Sequence, residues 1–390
     1  MKPNPNRIES LDLLRGAVMI LMVIDHAREY ANLPGVGDPV DITQTSPALF
    51  FTRWISHFCA PVFVLLAGVS ARMVGAKLPD TAALSSHLLK RGLLLTLLEF
   101  TVVDFSWKFN WSWPLFFMQV IWVIGAGMIL LAAMVHLPAR VVGLIGAAMV
   151  FGHNLLDGIR FTSGTTAHYL WSILHQKNVL PLVGGYSVRT TYPLIPLIGV
   201  MALGYWLGTL FQPDVSAEKR KRWLWQLGGA ATVLFVVLRV FNLYGEANRF
   251  AWQPDFTHTL MALGNVTKYP TSLQFLLMTL GPAMLALAAF EPLRGAWRKT
   301  LLIFGRTPMF YYIAHLYLLH LLGLAMALAT GYSWAEFDFK TKITGMPAQF
   351  GFPLWGVYLF SAITIALLYP ACRWYDHWRR QSSSFIARYI

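Results

Sequence analysis

The chain has 390 residues, of which 56% are hydrophobic and only 13% are charged, and its formal net charge is +13. Soluble domains carry about 25% charged residues, so this composition excludes an ordinary soluble protein and predicts an integral membrane protein. Because the lysines and arginines lie mainly in short segments between apolar stretches, we do not expect a nucleic acid as a partner.

Ten apolar stretches are each close to the length that an α-helix needs to cross a bilayer. They predict an all-α integral membrane protein, a bundle of about ten transmembrane helices that forms a single domain over residues 1–390. The predicted spans are residues 11–30, 48–74, 88–107, 113–135, 139–157, 192–211, 222–243, 271–290, 302–328 and 352–374. The lipid bilayer is therefore the first predicted partner.

The positive charges between these stretches predict the orientation of the chain. With the N-terminus in the cytoplasm, the inner segments and span ends hold 19 of the 31 lysines and arginines, among them Lys2, Arg7 and Arg388. Cytoplasmic loops of membrane proteins carry such an excess. The sequence thus predicts that both termini are cytoplasmic and that the number of spans is even.

The first predicted span carries an arginine and a histidine on one stripe. Arg15 and His26 are eleven residues apart, which is about 20° from a whole number of helical turns and corresponds to a rise of about 16–17 Å. Insertion scales assign a central arginine a cost of about 2.5–3.5 kcal/mol, so such groups usually face a bundle interior or a wet cavity and have a function there.

Four predicted spans place polar or titratable side chains at one depth, in the outer leaflet. These side chains are Asp25, His26, Arg53, His57, Glu99, Asp104, Lys108, His153 and Asp157. An imidazole titrates near neutrality and can take a proton from an attacking amine or hydroxyl, which makes His26 the leading candidate for a general base. The convergence predicts a polar site in which Asp104, His153 and Asp157 contact the substrate.

Several of these residues also have a structural interpretation. A neighbouring helix can satisfy a buried histidine such as His26 or His57, and Arg53 can extend its charge to the membrane interface. His153 and Asp157 are four residues apart on one face and are favoured as a hydrogen-bonded pair that closes the helix end. Two ligands without a third are poor evidence for a metal, so no metal site is predicted.

The ninth span, LLIFGRTPMFYYIAHLYLLH, contributes a second group. Arg306 lies at the predicted inner rim, where it is either a topology anchor or a phosphate-binding side chain. Tyr311 and Tyr312 precede His315 by four and three residues, so either ring could contact it. His315 is expected near the middle of the membrane, where a polar ring needs a cavity or a partner.

Four stretches together carry a family resemblance: SLDLLRGAVMILMVIDHARE, RWISHFCAPVFVLLAGVSA, GHNLLDG and GRTPMFYYIAHLYLLH. They resemble the membrane acyltransferases related to heparan-α-glucosaminide N-acetyltransferase, and in particular its bacterial relatives. The spacing of Arg15 and His26 is also similar to the arginine–ten residues–histidine signature of the membrane acyltransferases that acetylate bacterial surface polysaccharides. One departure is that the eukaryotic enzyme has its catalytic histidine further along, whereas here no histidine follows His26 before His57.

This resemblance implies transfer of an acyl group, usually acetyl, from cytoplasmic acyl-CoA to a sugar amine or hydroxyl on the far side of a bacterial inner membrane. The expected catalytic residues are His26, Asp25, Arg53 and His57, with His26 either a general base or a covalent acyl carrier. The expected acetyl-CoA site comprises Arg15, Arg306, Tyr312 and His315. The expected partners are acyl-CoA, an extracytoplasmic glycan or amino sugar acceptor, and a second copy of the chain in a homodimer.

A different class of function also fits the sequence. A transporter or flippase would bind a sugar or lipid substrate in the same outer polar cluster and would break no bond. Such a protein would move its substrate without acyl-CoA and would tolerate replacement of His26 by glutamine.

Overall fold

The computed structural model describes residues 8–33, 35–291, 293–382 and 384. Helix accounts for 69% of the structure and strand for 3%, which confirms the mostly helical class. The α-helices are α1 (Glu9–Ala31), α2 (Pro47–Ile55), α3 (Cys59–Gly75), α4 (Thr81–Leu98), α5 (Asp104–Lys108), α6 (Val120–Met134), α7 (Ala139–Gly152), α8 (Thr166–Leu174), α9 (Leu194–Leu207), α10 (Ala217–Val240), α11 (Phe256–Gly264), α12 (Leu273–Phe290), α13 (Ala296–Arg306), α14 (Pro308–Ala329) and α15 (Leu354–Gln381). Lys2, Arg7 and Arg388, which the charge pattern used, lie outside the described residues.

Seven helical segments of the described chain are long and apolar enough to cross a membrane, judged by length and composition. They are Pro47–Gly75, Ala139–Leu156, Leu194–Phe211, Ala217–Val240, Leu273–Phe290, Pro308–Ala329 and Leu354–Gln381. Each corresponds to one of the ten predicted spans. The protein is therefore a multi-helix membrane protein, while a count of ten spans stays a prediction.

The other three predicted spans differ from the seven in composition or shape. Helix α1 contains residues 11–30 as predicted, but it carries charges along its length and packs inside the bundle against α13, α14 and α15. Helix α4 begins at Thr81 and continues through a π-helical segment, Glu99–Val103, into α5. The predicted span 113–135 is wrong at its start, because residues 115–118 form a strand and α6 then has only 15 residues.

Three short strands form a sheet beside the bundle. They are β1 (Leu115–Met118), β2 (Val179–Pro181) and β3 (Ser187–Thr190). Strand β3 pairs in parallel with β1 and antiparallel with β2, so the sheet order is β1-β3-β2. The sheet orders part of the segment between α8 and α9 and brings it to the start of α6, where the candidate site lies.

The predicted ninth span is not one helix but two. Helix α13 ends at Arg306 and α14 begins at Pro308, whose missing N–H is tolerated at the first position of a helix. Helix α13 touches α1 backbone to backbone: a Cβ added at Gly305 would lie 1.8 Å from the carbonyl oxygen of Asp12, and one added at Gly16 would lie 2.0 Å from that of Leu301. This contact brings Arg15 against the end of α13.

Candidate active site

His26 lies at the wall of a cavity of about 240 Å³, which we name the histidine cavity. Segments far apart in the sequence line it, including α1, α3, α5, α14 and the loop before α12. Its charged and polar side chains include Asp25, His26, Glu29, Arg53, Gln119 and Lys268. The chain thus brings together three of the four predicted catalytic residues, Asp25, His26 and Arg53.

A second histidine supports the ring of His26 from behind. His26 Nδ1 lies 2.6 Å from His315 Nε2, and His315 Nδ1 lies 3.0 Å from the carbonyl oxygen of Tyr311. The ring centroids are 4.9 Å apart and the ring planes differ by 16°. That separation matches the nitrogen–nitrogen distance plus the two ring radii, so the rings meet edge to edge, as a hydrogen bond requires. The indole of Trp107 packs on His26 at a centroid distance of 5.0 Å.

Asp25 connects α1 to α2 through its ion pair with Arg53. Its carboxylate accepts a hydrogen bond from Arg53 and lies 3.5 Å from Arg28. Arg53 also donates to the hydroxyl of Ser56 at 3.3 Å. Arg53 is therefore held inside the protein. The contacts of Arg53 with Asp25 and Ser56 hold Ser56 in the cavity wall.

Arg15 lies in a separate cavity, also of about 240 Å³, which we name the arginine cavity. Its lining contains four arginines, Arg15, Arg91, Arg306 and Arg379, against one aspartate, Asp12. A carbonyl and two side chains hold Arg15 in place: it donates to Gly305 O at 3.1 Å, to the Ser70 hydroxyl at 3.1 Å and to Asp12 at 3.2 Å.

Arg91 differs from the other arginines of this cavity. It forms no ion pair or hydrogen bond with any residue in the described part of the chain, and its Nε is buried without a partner. Arg306, by contrast, lies 3.7 Å from Asp12 and 3.6 Å from Glu9. The side chain of Arg91 is therefore available to an anionic ligand.

The two cavities meet end to end. Phe63, Val120 and Tyr312 line both of them, and we name these three side chains the septum. Helix α1 passes from Arg15 in one cavity to His26 in the other, about 16 Å along its axis. Helices α3 and α14 and the segment that enters α6 make the same transition. The predicted stripe of Arg15 and His26 is thus the shared wall of two adjoining cavities.

Three other predicted site residues lie elsewhere. His315 lines neither cavity and is fully buried behind the ring of His26. His57 is also buried outside both cavities, with its ring 5.4 Å from that of Phe275. Asp104 binds Lys108 Nζ at 2.7 Å, and the same ammonium donates to Leu115 O at 2.5 Å, which positions β1.

The predicted pair of His153 and Asp157 is wrong. His153 contacts main-chain carbonyls, Val150 O and Thr271 O, both at 2.9 Å. Asp157 instead lies 2.9 Å from His175 Nε2. This hydrogen bond lowers the pKa of the Asp157 carboxyl below its usual range, although burial opposes that shift. Asp157 and His175 line a third cavity of about 310 Å³.

Sequence reasoning missed several residues of the two main cavities. Trp107 and Lys268 line the histidine cavity, and Arg91 and Arg379 line the arginine cavity. The sequence marks Arg91 and Arg379 only as charges near predicted inner span ends, where a topology signal is the simpler interpretation. No local signal marks Lys268, since it reaches the cavity from a loop.

Comparison with known families completes the description of the site. The family described as "Heparan-alpha-glucosaminide N-acetyltransferase, catalytic" matches residues 7–240, more than half of the chain. The chain belongs to this family. Membership in this acetyltransferase family supports an acetyltransferase-type function for this membrane protein. A search of curated proteins found no match. Arg15, His26, Arg53 and Arg91 of this family member lie in the matched region, whereas Tyr312 and His315 lie beyond it.

Proposed function

We propose that the chain transfers an acetyl group from acetyl-CoA to an amine or hydroxyl of a sugar, with His26 as the general base. The donor nucleotide occupies the arginine cavity and the acceptor occupies the histidine cavity. The observation that carries this proposal is the end-to-end contact of the two cavities at the septum. With a cytoplasmic N-terminus, the arginine cavity faces the cytoplasm, where acyl-CoA is made, and the acceptor is a glycan on the extracytoplasmic side of a bacterial inner membrane.

The charges of the arginine cavity suit the nucleotide end of the donor. Coenzyme A carries phosphate groups on a long thin arm, and guanidinium groups bind phosphate oxygens through two parallel hydrogen bonds. Arg91 is available for such a contact, while Arg15 and Arg306 are pre-positioned by Asp12. The arm then extends past Tyr312 to bring the thioester to His26.

The histidine cavity suits the transfer step. An acceptor amine or hydroxyl attacks the thioester carbonyl carbon, and His26 takes the proton that the acceptor loses. The tetrahedral intermediate collapses as the carbon–sulfur bond breaks, and the coenzyme A thiolate receives the proton from His26. The products are the acetylated acceptor and free coenzyme A. A covalent acetyl-His26 is the alternative route, in which the imidazole nitrogen itself attacks and coenzyme A leaves before the acceptor reacts.

Radiolabelled acetyl-CoA tests the proposal with purified protein in lipid nanodiscs, using glucosamine and glucose as amine and hydroxyl acceptors. We expect labelled sugar from the natural protein, and a rate about 10²–10⁴-fold lower in His26→Gln. The thermal shift caused by acetyl-CoA should be retained in that variant. His136→Gln, at an exposed histidine in the α6–α7 loop, is the matched control.

Two results would contradict the proposal. One is the absence of any thermal shift with acetyl-CoA. The other is uptake of the sugar into proteoliposomes without acetyl-CoA and without loss in His26→Gln, which would identify a transporter. Incubation with labelled donor and no acceptor separates the two chemical routes, because only the covalent route leaves label on His26.

A further inference from the structure

The contact between His26 and His315 restricts where protons lie on both rings. Tyr311 O is a carbonyl oxygen and can only accept, so the 3.0 Å contact requires a proton on His315 Nδ1. In a neutral His315 ring, Nε2 then carries a lone pair and can only accept. The 2.6 Å contact therefore requires that His26 Nδ1 donates.

This assignment determines the other nitrogen of His26. A neutral imidazole carries one proton on its ring nitrogens, so when Nδ1 is protonated, Nε2 has a free lone pair. Among the described residues, no hydrogen-bond partner of His26 Nε2 is observed, whereas the His26 side chain lines the histidine cavity. Nε2 of His26, which contacts no described hydrogen-bonding group, is therefore the nitrogen that is free to accept a proton.

We propose that His315 is a positioning residue that fixes the tautomer and ring plane of His26. The main chain of α14 sets the proton on His315, and His315 in turn sets the proton on His26, which leaves Nε2 ready to take a proton from the acceptor. The inference rests on the proposed function of His26 as general base and adds to it a residue that touches neither substrate nor donor.

The surroundings of His315 agree with this indirect role. The ring is fully buried and lies in the wall of neither cavity, so it has no direct access to a ligand. It belongs to α14, which contributes Tyr312 to the septum, and its backbone anchor lies one turn earlier in the same helix. Because α14 holds both the His315 ring and the Tyr311 carbonyl that anchors it, the ring has a rigid support. A general base needs such support to keep its orientation.

Two variants of similar side-chain length separate this role from simple packing. In His315→Gln the amide oxygen can still accept the proton of His26 Nδ1, whereas the thioether of His315→Met is only a weak acceptor. We expect His315→Met to lower kcat about 10–100-fold with the KM for acetyl-CoA unchanged, because a misdirected base loses rate without losing donor contacts. His315→Gln should recover most of that loss.

Nitrogen NMR provides the direct measurement, on protein labelled with ¹⁵N-histidine and without any substrate. The His26 signals are assigned by their loss in His26→Gln. We expect Nδ1 of His26 to carry the proton in the natural protein and in His315→Gln, and a shift of the proton towards Nε2 in His315→Met. The proposal would be overturned if His26 of the natural protein carried its proton on Nε2. Identical His26 spectra in all three proteins would overturn it as well.

These measurements keep the two proposals apart. If the spectra are as expected but no sugar is acetylated, the proposed function fails and the positioning role of His315 stands. If sugar is acetylated and His315→Met retains full kcat with an unchanged His26 spectrum, the positioning role fails and the proposed function stands. Equal thermal stability of the two variants would show that packing does not explain their difference.

Discussion

The arginine cavity and the histidine cavity have the same volume, about 240 Å³, but differ in their charge balance. The first has four arginines against one carboxylate, whereas the second has two carboxylates, Asp25 and Glu29, against Arg53 and Lys268. An excess of positive charge in a partly dehydrated cavity favours an anionic ligand. The balanced charges of the histidine cavity do not favour an anion, which agrees with the proposal that the neutral ring of His26 is the reactive group.

The two cavities also differ in what holds their side chains. Arg15 is fixed by a carbonyl oxygen of α13, at a helix crossing so close that it needs glycine at Gly16 and Gly305. His26 is fixed by another side chain, His315. The carbonyl contact fixes only the position of Arg15, whose guanidinium stays protonated, whereas the histidine contact fixes both the position of His26 and the location of its proton. The comparison therefore supports the proposal that one end of α1 binds the donor and the other end transfers the proton.

Filling the septum gives the largest expected effect and would break the connection between the cavities. In Val120→Trp the indole occupies the region where the cavities meet, so the thioester no longer reaches His26. We expect kcat to fall at least about 10²-fold, as small misplacements of reacting groups do. Acetyl-CoA should bind more weakly in calorimetry, but adenosine 3′,5′-bisphosphate, which lacks the arm, should bind as before.

Val141→Trp on the exposed face of α7 is the control for this substitution. Equal loss of affinity for both ligands in Val120→Trp would show that the variant damages the whole arginine cavity. Unchanged turnover would show that the donor arm does not pass the septum.

Removal of the Arg91 guanidinium, which has no partner in the part of the chain that the structure describes, should have an intermediate effect that is confined to donor binding. A charge-assisted hydrogen bond contributes about 1.5–3 kcal/mol, so Arg91→Ala should raise the Kd for acetyl-CoA about 10–100-fold. The kcat at saturating donor should change little, because His26 is untouched. Isothermal titration at two salt concentrations measures the loss, with Arg140→Ala on exposed α7 as the matched control. A fall in kcat with an unchanged Kd would reverse the assignment of the two cavities.

A methyl group at the α1–α13 crossing gives the smallest expected effect on function. In Gly305→Ala the new Cβ would meet Asp12 O, so the helices must separate, at a cost of about 1–3 kcal/mol in the free energy of unfolding. Weakening the Arg15–Gly305 hydrogen bond should lower acetyl-CoA affinity only about 2–10-fold. Thermal unfolding and titration measure both effects.

Gly229→Ala in α10, where an added Cβ meets nothing, serves as the control and should be neutral or slightly stabilising. Normal stability in Gly305→Ala would mean that α1 and α13 pack less closely than described. It would also remove the reason for the fixed position of Arg15.

Local patterns predicted the features that depend on one helix at a time. The 3.6-residue period placed Arg15 and His26 on one stripe, and apolar length identified seven spans. Features that depend on distant contacts were not predictable. The partner of His26 is 289 residues away, and Asp157 pairs with His175 although His153 is nearer in sequence. The strand at residues 115–118 is apolar like the helix that follows, so hydropathy merged the two.

The septum has a consequence for the electrical insulation of the membrane. If the two cavities open to opposite sides, each carries the potential of its own solution, and most of the transmembrane voltage falls across Phe63, Val120 and Tyr312. A full charge that crosses such a barrier changes its energy by about 2.3 kcal/mol per 100 mV. On the proposed route, the three side chains that admit a slender acyl arm would then also have to stop protons and ions from leaking beside it, and so protect the ion gradients of the cell.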